Sequence, residues 1–341
     1  MYKNKYRFTL ILLACGLSLA LAGDEKKKDK ADKAPGEITA TSQPLLWTAP
    51  ENISGRDLTF GPGGKEHQPV PPFTFVEEDM NGTNPKFEVK DANGTKWKVK
   101  MGSEARPETV ATRLVWAVGY FADEDYFLAD LHADGMPALH RGQNYVDASG
   151  TVHNVRLKKR PSGYEKQGEW KWADNPFNNT REFNGLRVMM AIMNNWDVKD
   201  VNNAIYGNKK TGEQIYVVTD LGASLGPANM ALAHRKTKGS IDSYSKSKFI
   251  AKVRADSIDF DAPGRPSVFV MANPREYAGR RHLEWIGNNI PIDDARWIGK
   301  LLAQLSPQQI GDAFLAAGYP PEEVQSFVAA FESRIAEIAH I

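Results

Sequence analysis

Two segments of the chain carry residue types that can do chemistry. The first, NNWDVKDVNNAIYG, spans 194–207 and is too polar to be a buried core segment. The second, IYVVTDLGASLG, spans 215–226 and is an apolar run that ends on Asp220 and a glycine. The chemically capable side chains of the first segment include Asp197, Lys199 and Asn202. Acids, an ammonium and an amide so close together could transfer protons or neutralise charge.

Two simpler chemistries are not favoured. Paired carboxylates such as Asp197 and Asp200 could act as the acid and base of a glycoside hydrolase, but two acids three residues apart in a loop have no fixed separation. A histidine metal site is not indicated either, because the histidines lack ligand spacing. They include His132, His140, His153 and His234.

The elements around the two segments would bring them together. Residues 182–196, EFNGLRVMMAIMNNW, carry an apolar stripe at helical spacing, which predicts a buried helix leading into the first segment. A hairpin that turns near 208–212 follows, and Asp220 ends its second strand.

An earlier hairpin places two lysines on one face of a strand. The stretch PKFEVKDANGTKWKVKM alternates strictly and turns at Asp-Ala-Asn-Gly, and residues 73–76 offer a strand before it. Lys98 and Lys100 lie opposite the apolar side chains. The connecting loop, NGTNP at 81–85, has small residues whose N–H groups could approach an anion.

A helix is predicted directly after this strand. Residues 107–118 begin with Pro107, carry an apolar stripe and precede Gly119. Glu108 lies in the first turn, so the strand pattern predicts an ion pair between Lys100 and Glu108 across a cleft. Lys98, on the same face of the strand, is the alternative.

In this order, the motifs resemble atypical branches of the protein-kinase-like superfamily. DVKDVN matches the catalytic-loop pattern D-x-K-x-x-N, and TDLGASLG is similar to the D-F-G-x-x-L-G segment of phosphatidylinositol 3-/4-kinases. WKVKM resembles the strand of the nucleotide lysine. The compact spacing from lysine to glutamate looks like HipA-type and phosphatidylinositol-kinase-like proteins, and secreted kinases belong to the same group. The resemblance covers residues 73–226.

The resemblance implies a role for each matching residue. Asp197 would orient the acceptor hydroxyl and take its proton, and Lys199 would offset charge on the transferred phosphoryl group. The implied nucleotide contacts are Lys100 and Glu108. Asn81, Gly82 and Thr83 are further candidates for contact with the nucleotide, because the N–H groups of their loop could approach an anion. The implied ligands of Mg²⁺ or Mn²⁺ are Asn202 and Asp220. Asp200 and Asn203 are alternatives, but the spacing of five from acid to amide favours Asp197 with Asn202.

The resemblance also implies the fold. We expect an α+β, two-lobed kinase-like fold, with a small antiparallel β N-lobe at 44–130 and a mainly helical C-lobe at 131–341. The sequence departs from ordinary protein kinases in three ways. It lacks G-x-G-x-x-G and A-P-E, and Asn195-Trp196 replaces the His-Arg before the catalytic acid. The first two departures also occur in atypical kinases.

The N-terminus predicts export. Residues 1–22 have a basic start, an apolar run and an A-x-A site, which are typical of a signal peptide. LLACG around Cys15 resembles a lipobox, so the alternative is a lipid-anchored chain. Residues 23–43, which begin with a charged low-complexity run, predict a disordered tether.

The overall composition limits the partners. The net charge of +1 gives no electrostatic case for nucleic acid, and after the N-terminus no apolar run of 18 residues indicates a membrane span.

The sequence therefore predicts a secreted or periplasmic, Mg-ATP-dependent phosphotransferase. Its acceptor would be a protein, a lipid head group or a glycan. The first alternative is a pseudokinase-type module that binds a nucleotide, glycan or protein without transfer. A structural envelope protein without nucleotide affinity is the second alternative. The acids at 197 and 220 favour catalysis, because a pure binding fold needs neither.

Overall fold

A computed structural model describes most of the chain after the N-terminal region. The described residues are 43–82, 84–195, 197–226, 238–261 and 283–341. Several predictions lie outside them: the signal peptide at 1–22, the tether up to residue 42, Thr83 and Trp196. No helix in the described ranges is long and apolar enough to cross a bilayer.

A closed β-barrel forms the first half of the described structure, with its strands in the order β2-β3-β4-β6-β5. Its strands are β2 (Phe73–Asp79), β3 (Lys86–Lys90), β4 (Lys96–Lys100), β5 (Glu124–Asp134) and β6 (Thr151–Lys159). Antiparallel pairing joins the neighbours, except that β2 and β5 pair in parallel. Alternate residues of β3 and β4 fill the interior, as the sequence pattern predicts: Phe87, Val89, Trp97 and Val99 are at most 1% exposed.

The turn between β3 and β4 sets the register of the lysine strand. The Asp91 carboxylate accepts hydrogen bonds from the backbone N–H groups of Asn93 and Thr95 and from the indole N–H of Trp97. Gly94 adopts a φ of 77°, which suits glycine. The resulting pairing places Lys100 directly across from Lys86.

Helix α1 (Ala105–Ala117) packs against the barrel and begins two residues before the predicted start. The N–H of Ala105 donates to the carbonyl of Gly102, so the first turn forms immediately after the strand. Glu104 is the residue that precedes the helix, and Glu108 is buried in its first turn. Only four residues therefore separate Lys100 from the helix.

A second sheet has the order β1-β9-β8-β7. Its strands are β1 (Pro44–Leu45), β7 (Tyr164–Gly168), β8 (Asn203–Asn208) and β9 (Gln214–Val218). The predicted hairpin is the pair β8 and β9, whose register runs from Asn203 opposite Val218 to Gly207 opposite Gln214. This pairing brings the residues before β8 close to those after β9.

Helices and a small third sheet, ordered β10-β11-β12, complete the fold. The helices are α2 (Arg181–Ile192), α3 (Ile241–Lys246), α4 (Ile292–Leu302), α5 (Pro307–Ala316) and α6 (Pro321–Ala339). The strands are β10 (Ile250–Val253), β11 (Ser257–Phe260) and β12 (Ile290–Pro291). The predicted capping box is present at Ser306 and Gln309, and α2 buries its methionine stripe.

The barrel continues beyond residue 130, where the sequence places the end of the N-terminal lobe. Strands β5 and β6 pair from Glu124 opposite Lys159 to His132 opposite Thr151. The β-rich part of the chain therefore reaches residue 159. The sequence of β6, TVHNVRLKK, hides this role because its charged residues look like a surface segment.

Candidate functional site

Lys100 lies among three carboxylates, two at the start of α1 and one after β9. Its Nζ atom is 2.7 Å from Glu108, 2.9 Å from Asp220 and 3.1 Å from Glu104. The lysine is 4% exposed. Burial alone would lower the pKa of Lys100, but Asp220, Glu108 and Glu104 raise it above its ordinary value. The ammonium therefore stays charged at neutral pH.

The predicted ion pair between Lys100 and Glu108 is thus present. The alternative, Lys98, lies on the same face of β4 but is exposed, and it is 3.4 Å from Asp79 and 3.9 Å from Glu88. The structure therefore separates the two lysines: one is buried among acids of the site and the other contacts surface acids.

Glu108 is in turn surrounded by cations. Lys100 contacts its Oε2 atom, Arg156 lies 3.2 Å from the same oxygen, and Lys158 lies 3.4 Å from Oε1. Burial would raise the pKa of Glu108, but Arg156, Lys100 and Lys158 hold it below its ordinary value. The carboxylate is therefore ionised, although it is almost completely buried.

Asp220 follows β9 and joins the cluster from a distant part of the sequence. Its Oδ1 atom accepts a hydrogen bond from Lys100 and a longer one from the N–H of Gly222, at 3.4 Å. Burial would raise the pKa of Asp220, but Lys100 and Lys158 keep it well below the ordinary value. Since its side chain is 36% exposed, this is the carboxylate of the cluster that solvent or a ligand can reach.

The loop before β8 holds the other predicted residues. Asp197 and Lys199 form an ion pair of 3.1 Å, and the Asn202 amide nitrogen donates to the Asp197 carbonyl at 2.6 Å. The carbonyl of Asn202 accepts from both the N–H and the hydroxyl of Thr219, at 2.8 and 3.1 Å. These bonds attach the loop to the residue before Asp220.

The two alternative residues of this loop have other contacts. Asp200 accepts a hydrogen bond from the N–H of Trp172, and the side chain of Asn203, which is 1% exposed, donates to the carbonyl of Trp170. Both side chains therefore hold the neighbouring segment in place. The choice of Asp197 and Asn202 over Asp200 and Asn203 stays a prediction.

The loop predicted to approach an anion is held by side chains. Arg141 donates to the carbonyls of Met80 and Gly82, and the N–H of Asn81 donates to Asp79. The N–H of Asn81 is therefore already used within the loop, so its predicted role with a nucleotide stays a prediction. Asn84 connects the loop to the cluster by donating to Glu104 at 2.5 Å.

Sequence reasoning missed several charged residues of the site. They are Lys86, Glu104, Arg156, Lys158 and Lys238. Glu104 contacts both Lys100 and Lys238. Lys86 is the cross-strand neighbour of Lys100. Of these five residues, only Lys86 could have been recognised from the alternating pattern, because it lies on the first strand after the loop.

The donor set suits a hard divalent cation. Carboxylate oxygens of Glu104, Glu108 and Asp220 lie within 4.8 Å of one another. The ammonium of Lys100 contacts all three, so a cation would bind at the exposed side of Asp220 rather than at the centre of the group. Asn202 uses its amide nitrogen for Asp197, which leaves the amide oxygen as the atom that can face a cation.

A cavity of about 850 Å³ adjoins this cluster. Its lining includes Arg106 at the start of α1, His153 of β6, Lys238 and Tyr319. Lys238 also contacts Glu104, but the described lining residues do not include Lys100, Glu108 or Asp220. The cavity is therefore a neighbour of the charged cluster and not part of it.

Comparisons with known proteins give limited likenesses. No protein-family model and no curated protein matches the chain. Among solved structures, the chain is similar to a Helicobacter pylori proinflammatory kinase, CtkA, with a TM-score of 0.47 and 13% identity over 80% of this chain and 98% of that one. It is also similar to a Golgi casein kinase, with a TM-score of 0.32 and 10% identity over 78% of this chain and 74% of that one.

Proposed function

We propose that the protein is an atypical kinase-like phosphotransferase that transfers the terminal phosphoryl group of ATP to a hydroxyl group. The observation that carries the proposal is the position of Lys100, 2.7 Å from Glu108 and 2.9 Å from Asp220. A lysine on a barrel strand, an acid on the next helix and an acid after a later hairpin meet at one point. The lobes of the proposed fold would be the barrel with α1 and the helical remainder.

Phosphoryl transfer depends mainly on positioning and on neutralising charge. Lys100 is suited to bind the α- and β-phosphates, because it is charged and Glu108 fixes its direction. Lys86, across the strand pair from Lys100, would add a second positive charge on the same side. Asp220 and Asn202 would hold Mg²⁺ or Mn²⁺, which would neutralise part of the negative charge of the phosphates.

Asp197 and Lys199 would act on the acceptor. The carboxylate of Asp197 is suited to orient a hydroxyl and to accept its proton. Lys199, 3.1 Å from that carboxylate, would offset the charge that develops on the transferred group. The hydrogen bonds between Asn202 and Thr219 connect the loop that carries this pair to the residue before Asp220.

We also propose that the protein acts outside the cytoplasm, on a protein, a lipid head group or a glycan. The basic and apolar pattern of residues 1–22 supports export, with lipidation at Cys15 as the alternative. The scarcity of ATP outside the cytoplasm favours the second candidate function, a binding module that holds a nucleotide, glycan or protein without transfer. The acids at 197 and 220 favour catalysis.

The test is transfer of radiolabelled phosphate from γ-labelled ATP, with Mg²⁺ or Mn²⁺, to the protein itself, to water and to a panel of acceptors. Nucleotide-dependent thermal stabilisation is measured on the same preparation. Metal-dependent stabilisation with transfer supports the phosphotransferase. Stabilisation without transfer to any acceptor supports the binding module, and the absence of both contradicts a nucleotide site.

A further inference from the structure

Lys158, near the end of β6, contacts three separate parts of the chain. Its Nζ atom lies 3.4 Å from Glu108 of α1 and 3.1 Å from Asp123, and it donates to the backbone carbonyl of Thr219. The side chain is 17% exposed. An ammonium has three donors, so these three acceptors can satisfy it completely.

The acids that hold Lys158 are shared with other elements. Glu108 offers Oε1 to Lys158 and Oε2 to Lys100, so the two lysines do not compete for one oxygen. Asp123 offers Oδ2 to Lys158 and accepts the hydroxyl of Tyr206, in β8, on Oδ1 at 2.9 Å. Lys158 therefore joins α1, the start of β5 and the hairpin that precedes Asp220.

The contact with Thr219 acts on the position of Asp220. The carbonyl of Thr219 and the nitrogen of Asp220 belong to one planar peptide group. Lys158 holds this carbonyl, while the N–H and hydroxyl of Thr219 both donate to the carbonyl of Asn202. Thr219 is thus held through its carbonyl as well as through its N–H and hydroxyl groups. These contacts restrict the backbone position of Asp220 and therefore the position of its carboxylate.

We infer that Lys158 is a positioning residue for Asp220: it ties the peptide group between Thr219 and Asp220 to Glu108. Its role in the reaction rests on the proposed function. When Lys100 turns toward a phosphate, Lys158 and Arg156 remain as counter-charges of Glu108. The link between α1 and the segment of Asp220 therefore does not depend on Lys100.

The next residue, Lys159, supplies a matched control. Its side chain is 15% exposed, and it contacts Glu124 at 2.5 Å and the hydroxyl of Ser162 at 3.3 Å. Replacing either lysine removes one cation from a largely buried ion pair, so both changes should lower stability. Of these two lysines, Lys158 contacts the segment of Asp220, whereas the contacts of Lys159 are with Glu124 and Ser162.

The experiment compares Lys158→Met with Lys159→Met by hydrogen exchange of the protein without nucleotide. We expect the amide of Thr219, which donates to the carbonyl of Asn202, to exchange about tenfold faster in Lys158→Met, because one charge-assisted bond to the segment is lost. In Lys159→Met this amide should exchange as in the unchanged protein. The metal-dependent affinity for ATP should fall about tenfold in Lys158→Met alone.

A second pair of variants keeps the charge balanced in case the single changes prevent folding. Lys158→Met with Asp123→Asn removes one charge of each sign, and Lys159→Met with Glu124→Gln does the same at the control position. If both pairs show equal exchange of the Thr219 amide, the positioning role is wrong. Because the exchange measurement needs no nucleotide, it decides the role of Lys158 even if the protein binds no ATP.

Discussion

Lys100 and Asp220 are 120 positions apart in the chain, yet the lysine Nζ atom lies 2.9 Å from the aspartate Oδ1 atom. The contact joins the last residue of β4 to the segment that follows β9. Two elements produce it: the Asp91 turn, which sets the register of β4, and the hairpin of β8 and β9, which directs Asp220. Under the proposed function, Lys100 would bind the phosphates of the nucleotide and Asp220 would hold the metal ion beside it.

Replacing Lys100 by methionine should weaken ATP binding at least about tenfold, because it removes a charge-assisted contact with phosphate. The change should also destabilise the protein by about 3 kcal/mol, since buried acids lose their partner. Lys98→Met is the control, because Lys98 is exposed on the same strand. Isothermal titration and urea denaturation measure the two effects. Lost binding in Lys98→Met with normal binding in Lys100→Met would assign the role to Lys98.

Replacing Asp200 by alanine should lower the free energy of unfolding by about 1 kcal/mol, because the N–H of Trp172 loses its acceptor. ATP affinity and phosphate transfer per folded molecule should stay close to those of the unchanged protein. Urea denaturation and transfer assays measure these quantities. If Asp200→Ala abolishes transfer without affecting stability, Asp200 rather than Asp197 is the acid that orients the acceptor.

The buried carboxyl group of Asp125 predicts a pH dependence of stability. Burial raises the pKa of Asp125 to about 7, against the lowering effect of Arg113, which is 3.9 Å away, and of Arg156. The folded state therefore keeps a proton that the unfolded chain releases near pH 4. The stability from this group is complete below about pH 4 and is lost as the pH rises toward 7.

Asp125→Asn should remove this dependence. The stability of the variant relative to the unchanged protein should rise by about 3 kcal/mol from pH 5 to pH 8. Urea denaturation at the two pH values measures the difference, with the exposed Asp134 changed to asparagine as the control. The same pH dependence in Asp125→Asn as in the unchanged protein would mean that Asp125 is ionised in the fold.

Local patterns predicted the parts of the site that local structure determines. The alternation in β3 and β4, together with the turn at Asp91, is enough to place Lys100 on the face opposite Trp97. Asp197 and Asn202 belong to the same loop, so their spacing is visible in the sequence. In the structure the side-chain amide of Asn202 donates to the carbonyl of Asp197.

The rest of the cluster depends on contacts between distant segments. Arg156 and Lys158 look like surface residues in the sequence, because charged side chains are rarely buried without partners. Arg156 is buried and Lys158 is partly buried, because Glu108 lies 50 residues from Lys158 in the chain but beside it in the fold. Glu104 is similar, since its partners include Asn84 and Lys238. A single sequence does not specify such pairings.

The most direct test of the central claim is the metal-dependent affinity for ATP of three proteins: the unchanged chain, Asp220→Asn and Asp197→Asn. Isothermal titration with and without Mg²⁺ measures it, and phosphate transfer is followed in parallel. Asp220→Asn should lose most of the metal-dependent affinity, because a hard cation loses an anionic ligand. Asp197→Asn should bind as before but transfer far less, because the proton acceptor is gone. Unchanged metal-dependent affinity in Asp220→Asn would contradict the assignment of Asp220 and, with it, the kinase-like account of the site.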